Sequence, residues 1–199
     1  MQKNELVYYL ITYWIESRKK EANDTFTQLE IARTLSASLS TVHAALKPLQ
    51  KMWAIEKKPR GFKIVNMKKI ILYWATIRNI EKDIVLKKRI NLLPEEIEKK
   101  LPGGTLLTGY SGFKYRFDYV PAEYSEVYVY ASKKGIEEIK RRFRFSKGPF
   151  NFFVLKKPKV VKEITASLLF VDIWNLPEWY SKDYLKSLEK EMIKSGILE

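Results

Sequence analysis

Residues 27–66 read TQLEIARTLSASLSTVHAALKPLQKMWAIEKKPRGFKIVN, and their order decides the fold. Thr27 is a helix N-cap type, with Glu30 at the capping-box position. The helix that follows carries Leu29, Ile31, Ala32 and Leu35 as its apolar surface. Ser36-Ala37-Ser38 reads as a turn. From about Leu39 a further helix sets Val42, Ala45, Leu46 and Leu49 at i, i+3, i+4 and i+7, one stripe to be buried. Pro48 removes a backbone hydrogen bond and is expected to kink or shorten this helix. Short strand-like runs at 54–57 and 62–65 flank Lys58-Pro59-Arg60-Gly61, a hairpin. Helix, turn, helix and basic hairpin together predict a winged helix-turn-helix.

Working outward, residues 4–17 predict a preceding helix, with Asn4 as cap and Val7, Leu10, Ile11 and Trp14 at helical spacing. Asn66 caps a helix expected over 67–80, whose stripe is Ile70, Ile71, Trp74 and Ile77. Residues 81–93 fit neither period. Pro94 opens a short helix with acids in its first turn and lysines in its last, matching the dipole. Strands are expected at 105–108, 125–131 and 150–155, and a helix at 132–142. An apolar stretch, ASLLFVDIWNL, precedes Pro177, and Ser181 opens a last helix with Leu185, Leu188 and Met192 inward. The expected fold class is α+β: a winged helix over 1–66, a helical connector over 67–100 and a mixed α/β domain over 101–199.

Charge narrows the partners. Lys and Arg total 37 against 23 acids, a net charge of +14, which favours a polyanion. Residues 1–66 hold +5 of that excess and residues 132–163 hold +8. No apolar run nears the roughly 18 residues of a spanning helix, and the N-terminus lacks a signal peptide's apolar centre. These features predict a cytoplasmic chain without membrane contact. There is no Cys and only one His, so no metal site and no cofactor are expected. Lys, Ile and Tyr in abundance without Cys fit a thermophile.

In a winged helix the third helix enters the major groove. The buried stripe turns Ser40, Thr41, His43, Ala44 and Lys47 outward, with Ser38 just ahead of them. Hydroxyls and Lys suit phosphates or base edges, and Ala permits close approach. Thr27 and Gln28 open the preceding helix, where backbone N–H groups can hold a phosphate. Lys57, Lys58, Arg60 and Lys63 of the hairpin would lie along the backbone or in the minor groove. His43 is either a contact or merely exposed. Lys140, Arg141, Arg142 and Arg144 interleave with Phe143 and Phe145. They form either an accessory DNA surface, a seat for an acidic protein, or a solvated face.

Residues 106–131, LLTGYSGFKYRFDYVPAEYSEVYVYA, outline a strand, a glycine turn and a second strand. Nucleotidyltransferases of the polymerase-β-like type use such a turn and alternating carboxylates on the strand to hold two Mg²⁺. Here Glu126 fits the first position, but Tyr128 stands at the second, where a phenol cannot replace a carboxylate. The run FNFFVL offers no third acid. With the late LLFVDIWNLPEW stretch, the chain resembles the AbiEi-type antitoxins and related archaeal transcriptional regulators. These pair a winged helix with a nucleotidyltransferase-like domain lacking catalytic residues. The resemblance matches Gly109 and Ser111 to the turn and Asp172 to a recurrent late acid. It implies a repressor of double-stranded DNA, a non-enzyme, with a toxin as possible protein partner. Otherwise Gly109 is a turn glycine and Asp172 a helix cap or ion-pair member. A homodimer is expected from Tyr8, Tyr9 and Tyr13 and from the stripe of helix 67–80. The rival readings are a protein-interaction module and an active transferase using Glu126, Asp118 and Glu123.

Overall fold

A computed structural model describes residues 1–198. The chain divides into two units: residues 1–78 with 165–171 and 189–198, and residues 79–164 with 172–188. Residues 67–78 of the expected connector thus fall in the first unit and 79–100 in the second.

In the first unit the apolar spacings produce the helices they suggest. Helix α1 spans Lys3–Glu16, α2 Gln28–Leu35, α3 Leu39–Lys51 and α4 Met67–Ile77. Thr27 caps α2, its Oγ1 accepting the Glu30 N–H at 3.1 Å. Asn66 caps α4 in the same way. Asn4 does not cap α1: Gln2 holds that position, and its N–H donates to the Glu5 carboxylate at 3.2 Å. Helix α3 runs past Pro48 to Lys51 without a break, so the expected shortening does not occur. The residues of its stripe are all buried, against α1 and α2. Leu29 corrects the apolar surface expected of α2, since it is 47% exposed.

Two contacts fasten this core. The Tyr8 hydroxyl donates to the Ala45 carbonyl at 2.8 Å, tying α1 to α3. The Arg78 guanidinium meets the Glu5 carboxylate at 3.1 Å, both side chains essentially inaccessible. Strands β1 (Ile55–Lys58) and β2 (Gly61–Ile64) pair antiparallel around Pro59-Arg60, with Lys58 opposite Gly61. Phe26 and Phe62 exchange backbone hydrogen bonds at 2.8 and 2.9 Å, anchoring β2. A Cβ on Gly61 would lie 2.1 Å from the Phe26 carbonyl oxygen, which is why glycine stands there. Tyr8, Tyr9, Ile70, Ile71 and Trp74 are all buried. The side chains on which a homodimer was expected are therefore largely spent inside the chain.

The second unit is built on a four-stranded sheet in the order β3-β6-β5-β4. The strands are β3 (Ile84–Lys88), β4 (Leu106–Thr108), β5 (Val127–Ala131) and β6 (Phe152–Lys156). Strands β5 and β6 are parallel and joined by helix α7 (Lys133–Arg142); the other pairings are antiparallel. The run without a clear period contains β3, an edge strand whose exposed Val85 and lysines blur the alternation. All five residues of β5 are buried. Val127, Val129 and Ala131 enter an aliphatic core with Ile97 of α5 (Pro94–Lys99) and Ile139 of α7. Tyr128 and Tyr130 alternate with them and so point to the other face. There α6 (Gly109–Phe117) brings Tyr110 against Tyr128, ring centroids 6.3 Å apart. Helices α8 (Ala166–Trp174) and α9 (Ser181–Lys194) complete the chain. Among the described residues no helix is long and apolar enough to cross a membrane.

Candidate nucleic-acid interface

The start of α3 is held by hydroxyls. Ser38 Oγ accepts the Thr41 N–H at 3.2 Å and lies 2.9 Å from Ser40 Oγ and 2.8 Å from Thr41 Oγ1. One serine therefore caps the helix and organises its first polar turn. Ser38, Ser40, His43, Ala44 and Lys47 are exposed and Thr41 is half-buried, on the side opposite the buried stripe. Thr27 and Gln28 are half-buried, and the Thr27 hydroxyl is engaged as a cap. Glu30 meets Lys20 Nζ at 2.6 Å, which neutralises a charge near the α2 N-terminus.

On the hairpin, Lys57 and Arg60 are exposed and Lys63 is half-buried. None of the three makes an ion pair among the described residues, whereas Lys58 Nζ sits 2.7 Å from Glu56 Oε1. The hairpin thus presents three uncommitted cations and a fourth engaged by its neighbour. Two exposed side chains next to this surface escape a search for charge: Leu39 in the first turn of α3, and Trp53, 75% exposed with a left-handed backbone (φ 58°). Their absence from any apolar stripe was the available signal.

The four accessory cations divide. Lys140 pairs with Glu137 at 3.0 Å. Arg142 pairs with Glu138 and donates to the Lys100 and Leu101 carbonyls at 3.3 and 3.4 Å. Arg141 and Arg144 are exposed. Phe143, expected to interleave on the surface, is buried against Phe152. Phe145 is half-buried, with Lys88 Nζ 5.7 Å from its ring centroid.

Of the residues weighed for transferase chemistry, Glu126 and Tyr128 are each engaged by a different side chain of the same unit. The Tyr128 hydroxyl donates to Glu178 Oε1 and the Tyr110 hydroxyl to Glu178 Oε2, each at 2.8 Å. Glu126 accepts from Tyr180. Tyr124 donates to Glu98 at 2.6 Å and Tyr184 to the Ala122 carbonyl at 2.6 Å. Burial first, then nearby carboxylates, pushes Tyr110 and Tyr128 far above the ordinary phenol range. Tyr124, Tyr180 and Tyr184 are raised as well, again chiefly by burial. Asp118, at the end of α6, and Glu123 are exposed. Asp172 is buried and accepts from Thr108 Oγ1 at 2.8 Å and from the Tyr130 hydroxyl at 2.9 Å. Gly109 opens α6 with φ 59°, and a Cβ there would meet Leu176 at 3.2 Å and Tyr128 at 3.3 Å. It is a close-packing point beneath side chains, and Ser111 behind it is buried.

Compared with known proteins, the chain matches no family model, no curated protein and no solved structure.

Proposed function

We propose that the chain is a sequence-specific, double-stranded DNA-binding transcriptional regulator, a repressor whose first unit works as a winged helix-turn-helix. The observation that carries this reading is α3. Its buried stripe leaves Ser40, His43, Ala44 and Lys47 in solvent, and a hairpin with free Lys57 and Arg60 follows. In the reading, α3 enters the major groove, its small and hydroxyl side chains meet base edges, and the hairpin cations lie on phosphates. Leu39 adds an apolar contact suited to a thymine methyl.

The second unit, on this proposal, is a nucleotidyltransferase-like scaffold that binds rather than catalyses. Glu126 and Glu178 are engaged by phenols, and Tyr128 occupies a position where two-metal chemistry asks for a carboxylate. The resemblance to AbiEi-type antitoxins extends the proposal to a protein partner, a toxin. Trp179 and Tyr115, 75% and 83% exposed, are residue types that anchor such contacts.

Selection of bound sequences from a random duplex pool tests the DNA reading. A recurrent motif is expected, and a palindromic one indicates two chains per site. Recovery of an unenriched pool overturns sequence-specific binding. Incubation with labelled nucleotides, Mg²⁺ and RNA tests the non-enzyme reading, which transfer abolished by Glu126→Ala would refute.

A further inference from the structure

A cavity of about 370 Å³ opens in the second unit between the segment after β3 and the end of α7. Its walls are of two kinds. Leu92, Phe143 and Phe145 give it apolar surface, while Lys100 and Arg144 line it with charge. Neither Lys100 nor Arg144 makes an ion pair among the described residues, and both are exposed. Arg142 also lines the cavity, but it is tied to Glu138 and to the Lys100 and Leu101 carbonyls just past α5. It therefore shapes the wall and holds the two neighbouring segments together.

One polar group in the wall is engaged by two neighbours. Asn91 Oδ1 accepts from Ser146 Oγ at 3.0 Å and from Arg89 Nε at 3.4 Å. With both bonds on the oxygen, the amide nitrogen is left as a donor pair.

We propose that this cavity is a second nucleic-acid site, which takes one unpaired base of a single-stranded segment and the phosphates beside it. The volume lies in the range of small-molecule sites, and the apolar surface suits a flat ring removed from its stack. Lys100 and Arg144 stand where flanking phosphates need cations, and the Asn91 amide can donate to a base carbonyl. A duplex cannot offer such a base, because its rings are stacked inside. The carboxylates of an acidic peptide would meet the cations but offer no flat apolar face to lay against Leu92 and Phe145. The site uses residues of the second unit alone and does not depend on the duplex reading of α3.

The test is an anisotropy titration of the full chain with fluorescent oligothymidylate of about ten nucleotides, alongside an abasic strand of equal length and charge. The wild-type chain is expected to bind the thymidylate strand and to bind the abasic one more weakly. Replacing Lys100 and Arg144 together by Ala is expected to weaken thymidylate binding about tenfold. It should also lower the salt slope by about 1.4, at roughly 0.7 per lost phosphate contact on a single strand. Conservative replacement, Lys100→Arg with Arg144→Lys, should keep the slope. Asn91→Ala should weaken the thymidylate strand and leave the abasic strand unchanged. Three outcomes overturn the proposal: no binding of the single strand, equal binding of both strands, or displacement of the thymidylate by polyglutamate at equal charge concentration. Arg60→Ala serves as the separating control, since it should weaken duplex binding and leave single-strand binding intact.

Discussion

On α3, Ser40, His43 and Lys47 stand in solvent above a wholly apolar stripe, while behind β5 the phenols of Tyr128 and Tyr130 are buried and each donates to a carboxylate. Both elements alternate apolar and hydrogen-bonding residues. One is covered on a single side, the other on both. A group left in water keeps its hydration until a ligand replaces it. A group taken out of water needs a partner within the chain. The same side-chain chemistry thus stands open to solvent in one unit and forms an internal lock in the other.

The largest effect that separates the two regions is alkaline. Five tyrosines of the second unit, Tyr110, Tyr124, Tyr128, Tyr180 and Tyr184, have their ionisation raised by burial. Their folded pKa exceeds the unfolded value of about 10, so above that pH the unfolded chain binds fewer protons than the folded one. Stability is then lost as pH rises, by about 1.4 kcal/mol per pH unit for each phenol kept protonated. Urea melts across the alkaline range should show this fall. A flat profile would mean that the phenols are open to water.

Next comes the interior ion pair. Arg78→Ala strands the buried Glu5 carboxylate and should cost about 3–5 kcal/mol in a urea melt. A smaller loss is expected from Tyr128→Phe, which removes a hydrogen bond to Glu178 and should cost about 1.5–3 kcal/mol without altering duplex affinity. Ser38→Ala lies on the border between the two behaviours. It removes the α3 cap, costs about 1 kcal/mol, and should weaken duplex binding because the first polar turn loses its organiser. The smallest stability effect belongs to Lys47→Ala, within about 0.5 kcal/mol, yet it should weaken duplex binding. A Lys47→Ala chain with lost stability and full affinity would invert the comparison.

Much of the first unit was legible because helical spacing and caps acted locally. Thr27 and Asn66 cap where residue type says they should, and Val42, Ala45, Leu46 and Leu49 are buried together. The second unit was legible only in part. Helix α6 follows a glycine with φ 59° and is rich in glycine and aromatic residues, so propensity argued against it. Strand β3 is exposed at Val85 and hides its period. The partners of Tyr110 and Tyr128 lie 50 residues or more along the chain, at Glu178, where no spacing rule reaches. Among the candidate site residues, exposure of the α3 face followed from the stripe. The division of the cations followed in part: Lys140 and Arg142 pair with Glu137 and Glu138 at the i,i+3 and i,i+4 spacings of one helix, whereas the Lys58–Glu56 pair and the freedom of Lys57, Arg60 and Arg144 follow from no such spacing.

The measurement closest to the central claim is the salt dependence of duplex DNA binding by the full chain. If Lys47, Lys57, Arg60 and Lys63 all meet phosphates, the logarithm of the binding constant should fall against the logarithm of salt with a slope near −4, about 0.9 per contact. The Lys47→Ala, Arg60→Ala double variant should lower that slope by about two. A flat dependence, or a double variant with the wild-type slope, would contradict a duplex-reading role for α3 and its hairpin.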